Sequence, residues 1–113
     1  MSRKKDIYLL DIIDEISEIE SFTRDIDFEK FRNDRRTIRA CVSCLIIIGE
    51  ASKYLPDELK ASNSEIPWKK IIGMRNKLVH HYFGIEVSVL WETIRNDIPF
   101  LRERVMKILR KRN

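Results

Sequence analysis

Glycine and proline are scarce, three of each in 113 residues. A β-sandwich or barrel turns too often to be built with so few, which leaves long helices joined by short links. Cysteine is scarcer. Cys41 and Cys44, three residues apart, cannot form the disulfide framework of a small secreted domain and suit a reducing compartment. Long apolar runs are missing too. The longest, residues 44–48, is far below the ~20 residues that cross a bilayer. Arg3, Lys4 and Lys5 open like a signal peptide, but the apolar stretch behind them stops at Asp11 and is too short. The expectation is a cytoplasmic protein without membrane contact.

What is present is globular. Hydrophobic residues make up 43% and charged residues 35%, too apolar and too mixed in sign for disorder. Residues 1–113 are expected to form one helical domain that buries a core without staples. The charge is uneven. Residues 1–66 hold 11 Lys/Arg against 14 Asp/Glu, a balance of −3, and residues 67–113 hold 11 against 4, a balance of +7. The second half is either a surface for a polyanion or a solvated helix face with a basic tail.

Leu9, Ile12, Ile13, Ile16 and Ile19 recur at helical spacing and predict a first helix over residues 7–22. Thr23 or Asp27 would cap the next. That helix is expected to run over residues 28–55, polar at first and then carrying Ile38, Cys41, Val42, Leu45, Ile48, Ala51 and Leu55 until Pro56 stops it. Residues 56–65 read as a polar connection. Pro67 fits the first turn of a third helix bearing Trp68, Ile71, Met74, Arg75, Leu78 and Tyr82, with Gly84 to stop it. Leu90, Ile94, Ile98, Leu101, Val105 and Leu109 form the stripe of a fourth, kinked at Pro99 and ending on Arg110, Lys111 and Arg112. Four such helices make an all-α, antiparallel, up-and-down four-helix bundle.

Chemistry gathers in residues 75–82. At ~100° per residue, Arg75 and Tyr82 share a helix face, Asn76 and His80 are an i,i+4 pair, and Arg75 and His80 stand about 140° apart. Arg75 and His80 converge only if the arginine bends round, the helix loosens, or a second copy of the helix faces the first. These residue types suit metal-free RNA cleavage. The 2′-hydroxyl needs a base and the leaving 5′-oxygen an acid, and imidazole serves either role near neutral pH. A guanidinium offers fixed charge and a fork of donors to the phosphoryl oxygens. One histidine cannot make both proton transfers at once, so His81, Tyr82 or another subunit's histidine must help. The competing reading is a surface or interface network without catalysis.

Arg75, His80 and Tyr82 spell Arg-x4-His-x-Tyr. Around them stand Ile48, Gly49, Glu50 and Ala51; Leu55 and Pro56; Ile66, Pro67 and Trp68; Ile71 through Asn76; Tyr82, Phe83 and Gly84; and Trp91, Glu92, Asp97, Ile98 and Pro99. In this order they resemble the HepT-like toxins of the HEPN superfamily over roughly residues 5–110. The resemblance implies a HEPN four-helix fold and a homodimer whose shared cleft holds two motifs. It implies a metal-independent endoribonuclease toxin that cuts RNA, with Arg75 and His80 as the catalytic residues and no cofactor. It also implies a cognate antitoxin of the minimal nucleotidyltransferase (MNT) class that transfers AMP to Tyr82, adding charge and bulk to a phosphate-binding cleft. The alternative is a catalytically weak or inactive HEPN module that serves as partner and substrate of the nucleotidyltransferase.

Other residues carry open readings. Glu50, in an apolar stretch, either pairs with Arg75 and orients it or faces solvent. Asn76 and His81 are supporting candidates; His81 binds phosphate, shares in proton transfer, or is incidental. Cys41 and Cys44 form C-x-x-C, but zinc wants about four ligands and a redox pair wants a βαβ setting, so core packing is expected. Trp68 and Trp91 either stack on bases or pack helices together, with packing favoured. Arg35, Arg36 and Arg39 either touch RNA or the antitoxin, or form a solvated face.

Overall fold

A computed structural model describes residues 3–111, with the backbone alone at residue 3; Arg112 of the basic tail lies outside them. The fold is an all-α, HEPN-like bundle. Its long elements are α1 (Arg3–Thr23), α3 (Arg35–Tyr54), α5 (Trp68–His80) and α7 (Ile98–Lys111), with short helices α2 (Phe28–Arg32), α4 (Asp57–Ser62) and α6 (Val87–Glu92) between them. Leu9, Ile12, Ile16 and Ile19 of α1 are fully buried. Each such side chain contributes roughly 1.5–3 kcal/mol by leaving water. They meet Cys41, Leu45 and Ile48 of α3 and Leu101 and Val105 of α7 in one core.

Neighbours run antiparallel. Tyr8 near the start of α1 stacks on Tyr54 at the end of α3, with ring centroids 5.7 Å apart. Arg102 of α7 reaches Glu20 late in α1 at 3.5 Å. Among the described residues α5 packs chiefly on α3, which packs on α1, which packs on α7. The ring closes through ion pairs from α7 and the turn before it, Lys70–Asp97 at 2.9 Å and Arg104–Glu65 at 3.7 Å.

Four details differ from the sequence expectation. The helix expected over residues 28–55 is broken at Asn33 and Asp34. The Asp34 carboxylate accepts from the Thr37 N–H at 3.1 Å and the Thr37 hydroxyl at 2.7 Å, which starts α3 afresh. These bonds hold its carboxyl below its ordinary value. The polar connection folds into α4, which Trp68 anchors by donating its indole N–H to the carbonyls of Lys60 (3.2 Å) and Asn63 (3.1 Å). The third helix ends at His80, so Tyr82 sits in a 3₁₀ turn (Tyr82–Gly84) instead of in the helix. The fourth is not a continuous α-helix up to Pro99. It widens into a π turn over Thr93–Asp97, with the Ile98 N–H reaching back five residues to Thr93. A wider turn relieves the crowding that proline imposes on the preceding carbonyl.

Asp27, not Thr23, caps α2, accepting from the Lys30 N–H at 2.9 Å. The buried Thr23 hydroxyl instead donates to the Ile19 carbonyl. The end of α1 is closed by Arg95. Its Nη2 donates to the Ile26 carbonyl at 2.7 Å and the Thr23 carbonyl at 3.4 Å, and its guanidinium lies 4.2 Å from the centroid of Trp91. Trp91 in turn packs on Phe28 and Phe31. Arg95→Ala is therefore expected to cost about 1–2 kcal/mol in urea unfolding. Arg95→Lys should recover only part of it, because an ammonium lacks the planar fork.

Candidate active site

The site is built where α3 and α5 cross. Gly49 is the reason they cross so closely. A Cβ on Gly49 would fall on the Cβ of Arg75, within 2.9 Å of its Cγ and 3.2 Å of the Ile71 carbonyl. With no side chain there, α5 settles against α3 and Arg75 lies beside Glu50. The Glu50 Oε1 is 2.8 Å from the Arg75 Nε. The Nε–H does not point well at the carboxylate, so the contact is an ion pair more than a hydrogen bond. On the other side the Arg75 Nη1 donates to the Asn76 Oδ1 at 2.9 Å. Glu50 and Asn76 thus hold the guanidinium from two directions. Its side chain keeps 20% exposure. A held but solvent-reaching guanidinium is suited to gripping an anion.

Glu50, Arg75 and Asn76 form one network. His80 and His81 stand outside it, both exposed. The helix does not loosen between Arg75 and His80: the His81 N–H closes the last turn on the Lys77 carbonyl at 2.7 Å. The ~140° separation of Arg75 and His80 expected of a regular helix therefore holds within one chain. Tyr82 is half-buried beside α5, its ring edge-on to Phe83 at 5.4 Å. Phe83 is 97% exposed.

Large apolar side chains flank the network. Ile47 and Tyr54 share the face of α3 that carries Glu50, and Val79 lies one turn beyond Arg75 on α5; all three are exposed. Arg35, Arg36 and Arg39 are exposed along the first half of α3. Trp68 is buried in packing, and Trp91 is half-buried among Phe28, Phe31 and Arg95. Burial pushes the Cys41 thiol up to about 12, with the charge of Asp34 adding to it; burial and then Glu15 do the same to Cys44, also to about 12. Neither is a ready thiolate at neutral pH. Among the described residues no three His, Cys, Asp or Glu side chains gather as a metal-holding group, and no helix is long and apolar enough to cross a membrane.

Gly49 has no packing role in the sequence expectation beyond its place in the resemblance, although a lone glycine inside a strongly helical run is a signal of close approach. Gly73 is different. A Cβ there would meet nothing within 4 Å, yet glycine costs a helix interior ~0.8–1 kcal/mol against alanine.

Comparison with known proteins agrees with the family resemblance. The family described as "Ribonuclease HepT-like" matches residues 12–108. A protein of Thermococcus cleftensis named "Probable ribonuclease HepT" is 47% identical over 108 residues, covering 96% of this chain and 98% of its own. One of Methanocaldococcus jannaschii named "Putative RNase MJ0125" is 38% identical over 109 residues, covering 95% and 94%. No solved structure matches significantly. On the strength of a family match over most of its length, the chain belongs to the HepT-like ribonucleases of the HEPN superfamily.

Proposed function

We propose that this protein, a single domain, is the endoribonuclease toxin of a HEPN/MNT toxin–antitoxin pair, cutting RNA without a metal. The observation that carries the proposal is the held guanidinium of Arg75, fixed between Glu50 and Asn76 at the surface of the helix that also bears His80. Arg75 grips the scissile phosphate and offsets charge on its oxygens. His80 takes the proton from the 2′-hydroxyl or gives one to the leaving 5′-oxygen, and the 2′-oxygen closes on phosphorus as the P–O5′ bond breaks.

Within one chain His80 points away from the Arg75 network, so the working site is a homodimer's. A second copy of α5 brings its own imidazole to the first copy's arginine. The exposed Ile47, Tyr54 and Val79 around the network support that interface, since apolar side chains beside a functional cleft are suited to a partner's cover. His81, next to His80, is a second source of the proton or a phosphate contact.

Tyr82 is the proposed regulatory residue. Its oxygen attacks the α-phosphate of ATP on the MNT antitoxin, pyrophosphate leaves, and the phenolic proton goes to solvent. The attached AMP places negative charge where RNA phosphate must sit. A second reading is favoured by the separation of His80 from Arg75 in one chain: a module with little nuclease activity, acting as partner and substrate of the nucleotidyltransferase. The purified unmodified protein decides between them. It is expected to cleave RNA at undiminished rate in EDTA, and to lose cleavage when intact mass shows AMP on Tyr82. A preparation free of AMP that leaves RNA whole favours the second reading.

A further inference from the structure

Between α5 and the α6–π-turn segment lies an open groove of about 430 Å³. Its α5 wall presents Lys69, Gly73 and Lys77, each about one turn after the last and on the side of the helix that carries His80. Met74 and Val89 give it an apolar floor. Across from the lysines, the Glu92 carboxylate accepts from the Asn96 amide at 3.1 Å. Asp97, the other acid of the groove, is neutralised by Lys70 at 2.9 Å. Lys69 and Lys77 have no acidic partner among the described residues.

We infer that this groove is a subsite for a single-stranded segment of the RNA beside the scissile bond. The inference rests on the nuclease reading for its ligand, but on separate residues. Lys69 and Lys77 lie along one rim and meet backbone phosphates. Glu92 and Asn96 on the other wall offer an acceptor and an amide to the edge of a base, which is where selectivity would arise. Gly73 explains the fit. The chain itself gains nothing from a glycine there: no neighbour needs the space, and the helix is weakened. A base laid across Met74 and Val89 does need it. From Gly73 to His80 the helix turns through seven residues and returns to within about 20°, ~10 Å further along. A strand in the groove is therefore delivered to His80 along the same face.

The test is binding of a labelled, uncleavable 2′-O-methyl oligoribonucleotide, followed by anisotropy at several salt concentrations, with size and mass of each protein measured in parallel. Gly73→Leu fills the floor at a position with room for it, and is expected to weaken binding about tenfold or more. Lys69→Ala/Lys77→Ala should flatten the dependence of log Kd on log salt by about 1.4, the share of two phosphate contacts on a single strand. Lys107→Ala, at an exposed position of α7, removes a charge from elsewhere and should leave binding as in the parent. The inference fails if Gly73→Leu binds like the parent, or if the double variant changes the slope no more than Lys107→Ala. It also fails if Gly73→Leu separates dimers into monomers with RNA affinity intact, since the glycine then serves a second copy. The readings stay separable. Loss of binding in the groove variants with cleavage insensitive to His80→Ala would keep the groove and reject the active site.

Discussion

His80→Ala is expected to lower the rate of RNA cleavage by roughly 10²–10⁴-fold, the usual contribution of a positioned general acid or base. The fold should not notice. His80 is exposed at the last residue of α5, its side chain makes no hydrogen bond among the described residues, and it packs into no core cluster. Alanine is also the better helix former. Thermal unfolding and dimer mass should therefore match the parent, which separates lost chemistry from lost structure. The measurement is the initial rate on a fluorogenic oligoribonucleotide across pH 5–9. Cleavage at the parent rate by His80→Ala would end the catalytic assignment of this residue.

Gly49→Ala should be the most damaging single methyl group in the protein. In most helices this substitution stabilises by ~0.5–1 kcal/mol, because alanine has less conformational freedom to lose. Here the sign should reverse. The added Cβ meets the Cβ of Arg75 and the Ile71 carbonyl, neither of which is the free end of a flexible chain. Helices α3 and α5 must part, and overpacking of this kind costs typically ~1–3 kcal/mol. The effect on cleavage should be larger than stability alone explains. Glu50 and Arg75 sit on the two helices being separated, and a 1 Å misplacement of a catalytic group can cost about 10²-fold. Urea unfolding and cleavage rate, measured on the same preparation, check both parts. A variant more stable than the parent would show that the helices do not approach as described.

Much of the fold could be read from the chain because its apolar residues keep helical period over long stretches. Leu9, Ile12, Ile16 and Ile19 announce α1, and all four are buried. The breaks were harder. Asp34 lies in a polar run where period carries no information, and only its side-chain bonds to Thr37 reveal that a helix begins there. Residues 57–62 form a helix because Trp68, several residues later, bonds the carbonyls of Lys60 and Asn63. Such a tertiary anchor leaves no local trace. In the site, Glu50 beside Arg75 was one of two readings, since a carboxylate in an apolar run needs a partner but period does not say which. The close approach at Gly49 and the groove at Gly73 depend on what lies across from each glycine, and that is a property of the assembled bundle. Cys41 and Cys44 were placed in the core by the absence of further ligands, and their burial agrees.

The wide turn at Thr93–Asp97 sets the phase of everything after it. Leu90, Ile94 and Ile98 follow one another by four, a spacing that drifts ~40° per step on a regular α-helix. On a regular helix the three would span only about 80°, the width of one apolar stripe, and all are buried; the wide turn between them resets the angle at which Leu101 and Val105 then meet the core. The C-terminal helix is thus two rods coupled by a residue count. Dropping one residue between Thr93 and Asp97 would turn the whole of α7 by about 100° against its neighbours, sending Leu101 and Val105 outward. Insertions and deletions at this point are constrained to lengths that restore the angle, so the segment works as a vernier for the bundle.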